Sequence, residues 1–202
     1  YQNHADGESM VEKLNKQGII PGIKVDKGLK PLVGALHHET YCSGLDGLTE
    51  RAQEYYKQGA RFAKWRAVLQ ITEDGPSDFA IKENAWGLAR YARAVQEAGL
   101  VPIVEPEILM DGDHHIDKTA AVQERVIKEV YAACATAGVL LEGTLLKPSM
   151  TVCGAECPDQ ADYKKVAGYT IRTLLRSVPA AVAGINFLSC LLYTSPSPRD
   201  DE

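Results

Sequence analysis

The chain alternates between short apolar runs and longer stretches in which apolar residues recur every three or four positions. The runs read GIIPGIKVDKG, ARFAKWRAVLQI, GLVPIVEPEIL, GVLLEGTLLKP and AVAGINFLS. They reach charged or hydroxyl residues at Lys24, Lys64, Glu105, Lys147 and Ser189, marks that fall 40, 41, 42 and 42 residues apart. Apolar runs of strand length separated by helical segments predict repeated βα units around a parallel sheet. Five strands are expected on this count. In a (β/α)₈ barrel, catalytic groups stand at the C-terminal ends of several strands, and the charged residues are expected at those ends.

The intervening segments carry a helical period. Within 78–98, Ile81, Ala85, Leu88, Ala92 and Val95 form one stripe, and Val122, Val126, Val130, Ala133 and Ala137 form another. Asp46–Gln58 and Gln160–Val178 are two further helices, the second stopped by Pro179. Gly18, Gly59, Gly99 and Gly138 each follow a helical stretch and precede a strand, the position of a left-handed C-cap.

Composition adds the compartment and excludes some partners. Hydrophobic residues make up 45%, charged residues 24%, and the net charge is −5, values of a globular protein with no nucleic-acid partner. Pro179–Tyr193, the longest apolar stretch, contains Asn186 and Ser189 and is shorter than the ~20 residues a helical span needs, so no membrane partner is expected. The 5 cysteines, Cys42, Cys134, Cys153, Cys157 and Cys190, are odd in number and set in an α/β pattern, which favours free thiols in a reducing compartment. Cys153 and Cys157 are expected as reduced surface thiols, and Trp65 and Trp86 as packing residues. At 202 residues the chain is shorter than the roughly 250 of a typical barrel.

Alternation along a strand puts Lys64 and Arg66 on one face, Glu105 and Glu107 on one face, and Lys24 and Asp26 on one face. Neighbouring strands would gather these groups at one mouth, with Asp26 structural. A lysine amine in its uncharged form attacks carbonyls, and crowding by cations or desolvation favours that form, a setting expected for Lys147 beside Lys64 and Arg66. The product is a Schiff base, with Glu105 placed to move protons. The iminium is the electron sink, so no cofactor is called for. A cationic mouth on an acidic chain suits phosphate esters. His37 with His38 and His114 with His115 are adjacent pairs whose side chains diverge, so no metal site is expected.

LLEGTLLKPS at 140–149 resembles the Schiff-base lysine signature of class I fructose-bisphosphate aldolases. GIKVDKG at 22–28, GLDGL at 44–48, GARFAKWR at 59–66, and VPIVEPEIL with DGD at 101–113 resemble the same family in the same order. The resemblance implies an α/β fold, a partial TIM (β/α)₈ barrel covering about strands 3 to 7, with 1–189 as one incomplete barrel domain. It implies an aldehyde-lyase that reversibly cleaves fructose 1,6-bisphosphate to dihydroxyacetone phosphate and glyceraldehyde 3-phosphate. Lys147 would be the Schiff-base lysine, Glu105 the acid/base, Glu107 its supporting carboxylate, and Lys64 a group serving the substrate hydroxyl and proton transfers. Lys24, Arg66 and Ser189 would bind substrate. The resemblance also implies homotetrameric assembly of the parent protein and cytoskeletal partners. ARFAKWRAVLQI and ENAWGLARYA resemble plastid and algal members, so plastid or cytoplasm is the expected location.

The departures set further expectations. The chain starts where the family has completed its second strand, and after GINFLS the text changes to CLLYTSPSPRD. That segment reads as a translated transposase-type sequencing adapter, so 190–202 is expected to be a non-native tail. Without three strands the fragment itself is expected to be inactive. Two alternatives stand beside the aldolase reading. Another Schiff-base barrel, such as a transaldolase or deoxyribose-phosphate aldolase, would share Lys147 chemistry but not VEPEIL and KVDKG together. A non-catalytic binding scaffold would use the fold alone.

Overall fold

The computed structural model describes Asn3, Ala5 and residues 7–36 and 38–188; Ser189, His37 and the proposed tail at 190–202 lie outside the described residues. A five-stranded parallel sheet has the order β1 (Gly22–Lys24), β4 (Phe62–Leu69), β5 (Val101–Ile108), β6 (Leu145–Leu146) and β7 (Gly184–Ile185). Between these strands come α2 (Leu48–Lys57), α3 (Asp78–Glu97), α4 (Ile116–Thr136) and α5 (Tyr163–Ser177), after an initial α1 (Met10–Lys16). This is the predicted alternation, an arc of a barrel whose edges are β1 and β7.

Local chemistry fixes the helix ends. Ser9 and Glu12 form a reciprocal capping box on α1, Ser77 accepts the Ala80 N–H at 3.1 Å on α3, and Asp162 accepts the Lys165 N–H at 2.7 Å on α5. Gly99 and Gly138 follow α3 and α4 at φ 83° and 69°, values at which an L side chain is strained. The long strands show the two-face pattern the site depends on. Ala63, Trp65 and Ala67 of β4 are buried against Leu88, Tyr91 and Val95 of α3, which leaves Lys64 and Arg66 on the other face. Tyr91 stacks on Trp65 at 5.4 Å, and its hydroxyl donates to the carbonyls of Ala63 at 2.7 Å and Ile103 at 3.2 Å. One helical side chain thereby ties two neighbouring strands.

Four points differ from expectation. Lys64 and Glu105 do not end their strands: β4 and β5 stay paired from Phe62↔Val101 to Leu69↔Ile108, so both residues sit within the strands, and only Lys24 and Lys147 mark strand ends. Alternate residues beyond each charged residue, Trp65, Ala67 and Leu69 on β4 and Pro106 and Ile108 on β5, are apolar and buried, which sustains the pairing. A second sheet was not expected at all. β2 (Leu29–Pro31) and β3 (Thr40–Cys42) form an antiparallel pair after β1. Trp86, expected to pack, is 43% exposed on α3. The buried stripe of α4 is also rotated: it runs through Thr119, Gln123, Val126, Ile127 and Val130, with Val122 and Ala137 only partly covered.

Candidate active site

Glu105 stands at the centre of the inner face, only 2% exposed. One carboxylate oxygen accepts a hydrogen bond from Lys147 Nζ, and the other lies 2.9 Å from Lys64 Nζ. Three adjacent strands supply these groups. Lys64 and Glu105 are interior residues of β4 and β5, while Lys147 is the first residue after β6, its N–H donating to the Val104 carbonyl at 2.8 Å. The Lys64 and Lys147 side chains are mostly covered. A buried carboxylate is tolerated here because two ammonium groups meet it. The expected crowd of cations around Lys147 therefore has an acid at its centre.

A second pair lies two residues further along the same face. Arg66 Nε donates to Glu107 Oε2. That hydrogen bond holds the guanidinium above its ordinary pKa against the opposing effect of burial, with the charges of Glu107, Glu105 and Asp26 adding to it. At the edge strand, Lys24 Nζ meets Asp26 Oδ1 at 2.6 Å and the Asp26 carbonyl at 3.4 Å. Asp26 Oδ1 also accepts the Gly28 N–H at 3.2 Å. Cys42 of β3 is beside it; burial first, then the Asp26 charge, pushes its thiol up to about 12. The Lys24 side chain stays over half exposed, so its ammonium faces the open mouth. Four cations and three carboxylates thus line one face, leaving a surplus positive charge on an acidic chain.

All six of the expected site residues within the described chain (Lys24, Lys64, Arg66, Glu105, Glu107 and Lys147) are brought to this face; Ser189 is outside it. What the sequence reading missed is the support behind Lys147. Ser149 Oγ accepts the Ile108 N–H at 3.2 Å, and the Gln123 amide donates to the Ser149 carbonyl at 2.6 Å. The signal was present: Gln123 is a polar residue four after Thr119 and three before Val126, on the core face of α4.

The loop after β6 also corrects the thiol expectation. Cys153 and Cys157 are buried against Ile116, and both lie 3.6 Å from the Asp159 carbonyl. They are covered because Gly154, Ala155 and Glu156 donate their N–H groups to the carbonyls of His114, Met110 and Gly112, folding this loop onto the β5 exit. Cys42, Cys134, Cys153 and Cys157 are free thiols. His114 is buried, neither ring nitrogen has a hydrogen-bond partner among the described residues, and burial lowers its pKa. Among the described residues no group of three or more His, Cys, Asp or Glu is arranged for a metal ion, and no helix is long and apolar enough to cross a membrane.

The family model for Fructose-bisphosphate aldolase class-I matches residues 1–194. Fructose-bisphosphate aldolase 2, chloroplastic, of Arabidopsis thaliana is 57% identical over 189 residues, 94% of this chain and 47% of its own length. Fructose-bisphosphate aldolase 5, cytosolic, of the same plant is 57% identical, with 94% and 52% covered. Among solved structures, the fructose-bisphosphate aldolase of Plasmodium falciparum, crystallised with TRAP and a small-molecule inhibitor, superposes with a TM-score of 0.90 at 51% identity, covering 93% of this chain and 54% of that one. The chain spans about half the length of the curated relatives it matches.

Proposed function

Because this chain belongs to the class I fructose-bisphosphate aldolase family, we propose that it supplies the Schiff-base half of an enzyme that reversibly cleaves fructose 1,6-bisphosphate to dihydroxyacetone phosphate and glyceraldehyde 3-phosphate. The observation that supports this most is one buried carboxylate bridging two lysines from the flanking strands. In this reading Lys147 Nζ adds to the ketone carbon of the open-chain sugar. Glu105 shuttles the protons needed to form the carbinolamine and to release its hydroxyl as water. The C3–C4 bond then breaks, its electrons passing to the iminium as the enamine forms, while Glu105 takes the proton of the C4 hydroxyl. The aldehyde departs, the enamine is protonated, and water returns the lysine. Lys64, on the other carboxylate oxygen, serves the substrate hydroxyl and relays protons. Glu107 supports the acid through Arg66, while Arg66 and Lys24 hold a phosphate, with Ser189 as a further substrate ligand. The iminium itself is the electron sink, so the cleavage calls on no cofactor.

The exposed edges of the sheet favour one qualification of the reading: the 202 residues alone are expected to be inactive and to gain activity when extended at both ends with the corresponding segments of a chloroplast relative. Residues 1–189 form the incomplete barrel in this proposal, and 190–202 a non-native tail. Homotetrameric assembly and contact with cytoskeletal partners belong to the same proposal and rest on family membership. So does a plastid or cytosolic location, since relatives of both kinds match.

The test is cleavage kinetics in the extended chain. Lys147→Met abolishes turnover, and Glu105→Gln slows kcat by about 10²-fold, the range of general acid/base catalysis. Near-normal turnover in either variant contradicts its role.

A further inference from the structure

We propose that Gln123 is a positioning residue that fixes the chain beyond Lys147 and thereby holds the Lys147 ammonium on Glu105. Lys147 has little strand behind it: β6 is two residues long, and its N–H bond to the Val104 carbonyl is the last rung to β5 before Pro148 turns the chain. Side chains hold the segment from Pro148 to Thr151. The Gln123 amide donates to the Ser149 carbonyl at 2.6 Å and lies 3.4 Å from Ser149 Oγ, while its oxygen accepts from Thr151 Oγ1 at 2.5 Å. Ser149 Oγ in turn accepts the Ile108 N–H at the end of β5, and the Thr151 N–H donates to Thr170 Oγ1 of α5 at 2.9 Å. One glutamine on α4 thus clasps residues two and four beyond the lysine and ties them to β5 and α5.

Gln123 is 1% exposed in the apolar stripe between Thr119 and Val126. A polar amide at such a place is retained without penalty only while its donor and acceptor are both met, and both are met on the Lys147 loop. Removing it leaves the partly covered Ser149 carbonyl and the buried Thr151 hydroxyl without that partner, and the loop relaxes to reach water. Lys147, adjacent to the loop, then leaves Glu105, while Lys64 and Lys24, carried by β4 and β1, keep their places.

The geometric test needs no turnover and uses the chain as it stands. Formaldehyde and borohydride methylate each lysine through an imine, and peptide mapping reads the rate at every site. In Gln123→Met, Lys147 labelling is expected to rise about fivefold, the ratio set by one net hydrogen bond, with Lys24 and Lys64 unchanged. Gln123→Glu keeps the acceptor for Thr151 and is expected to fall between the two. Thr151→Val, which removes one bond of the clasp and preserves side-chain volume, gives the same direction if Gln123→Met fails to fold. Unchanged relative labelling of Lys147 in the folded variants, with or without a lower Tm, overturns the proposal. The catalytic consequence rests on the aldolase reading. In the extended chain, Gln123→Met is expected to lower kcat about tenfold with KM little changed, as one misplaced reacting group would. Absence of any substrate adduct on Lys147 in the unsubstituted extended chain defeats the aldolase reading but leaves the labelling result standing.

Discussion

At the scale of single residues, the inner face owes its order to side chains that each answer to more than one strand. Glu105 joins Lys64 and Lys147, and on the opposite side of β4 the Tyr91 hydroxyl joins the carbonyls of Ala63 and Ile103. Burial pushes the Tyr91 phenol well above its ordinary pKa. Tyr91→Phe removes this buried tie while keeping the ring on Trp65. The expected cost is about 1 to 3 kcal/mol, that of leaving buried carbonyls short of a donor, read as a lower midpoint in urea. No change in midpoint would mean that the β4–β5 ladder alone fixes the register beneath Lys64 and Glu105.

At the scale of elements, what was legible in the sequence depended on the length and burial of each segment. β4 and β5 are eight residues each and covered by helices, so their apolar runs stood out, and so did the periodic stripe of α3, whereas on α4 the helix was legible but its buried face was not. The β2–β3 pair was not legible because its strands are three residues each, include Pro31 and leave β2 exposed, so no alternation marks them. The grouping of charged residues was legible where they lie in or directly after the strands, as at Lys64, Glu105 and Lys147. Its support was not, because Gln123 acts through a loop that returns from a different element, and the coverage of Cys153 and Cys157 depends on that same loop.

The α4–α5 junction is a further element-scale case. Glu124 accepts from Arg176 at 2.8 Å and Lys128 at 2.5 Å, and these bonds, Arg176 first, hold its carboxyl at about 2 instead of its ordinary 4.5. A carboxyl depressed in the folded state stabilises it above the ordinary pKa, and that contribution fades as pH falls from 4.5 toward 2. The groups are exposed, so solvent screening keeps the effect small. Amide protection factors in α5, referred to the intrinsic rate at each pH, are expected to fall across this window in the wild type, and Glu124→Gln is expected to flatten that response. An equal acid response in the variant would place the titrating group elsewhere.

For the whole molecule, the decisive feature is that the sheet is open at β1 and β7 among the described residues. Ile20 beside β1 is 66% exposed, and at the other end Leu175 of α5 and Leu188 after β7 are 80% and 61% exposed. Unpaired strand edges flanked by apolar side chains favour association. The chain as it stands is expected to bind anilinonaphthalene sulfonate and to sediment as concentration-dependent oligomers. Extension at both ends with a relative's strands is expected to abolish the dye binding. A dye-free monomer before extension would mean that these surfaces are covered in some other way.

The central claim is that Lys147 forms a Schiff base under the control of Glu105, and borohydride trapping with dihydroxyacetone phosphate tests it most directly. Mass mapping of the extended chain is predicted to find one reduced adduct, on Lys147, and none on Lys64 or Lys24. An adduct on another lysine, or no adduct while the extended chain is folded, would contradict the account.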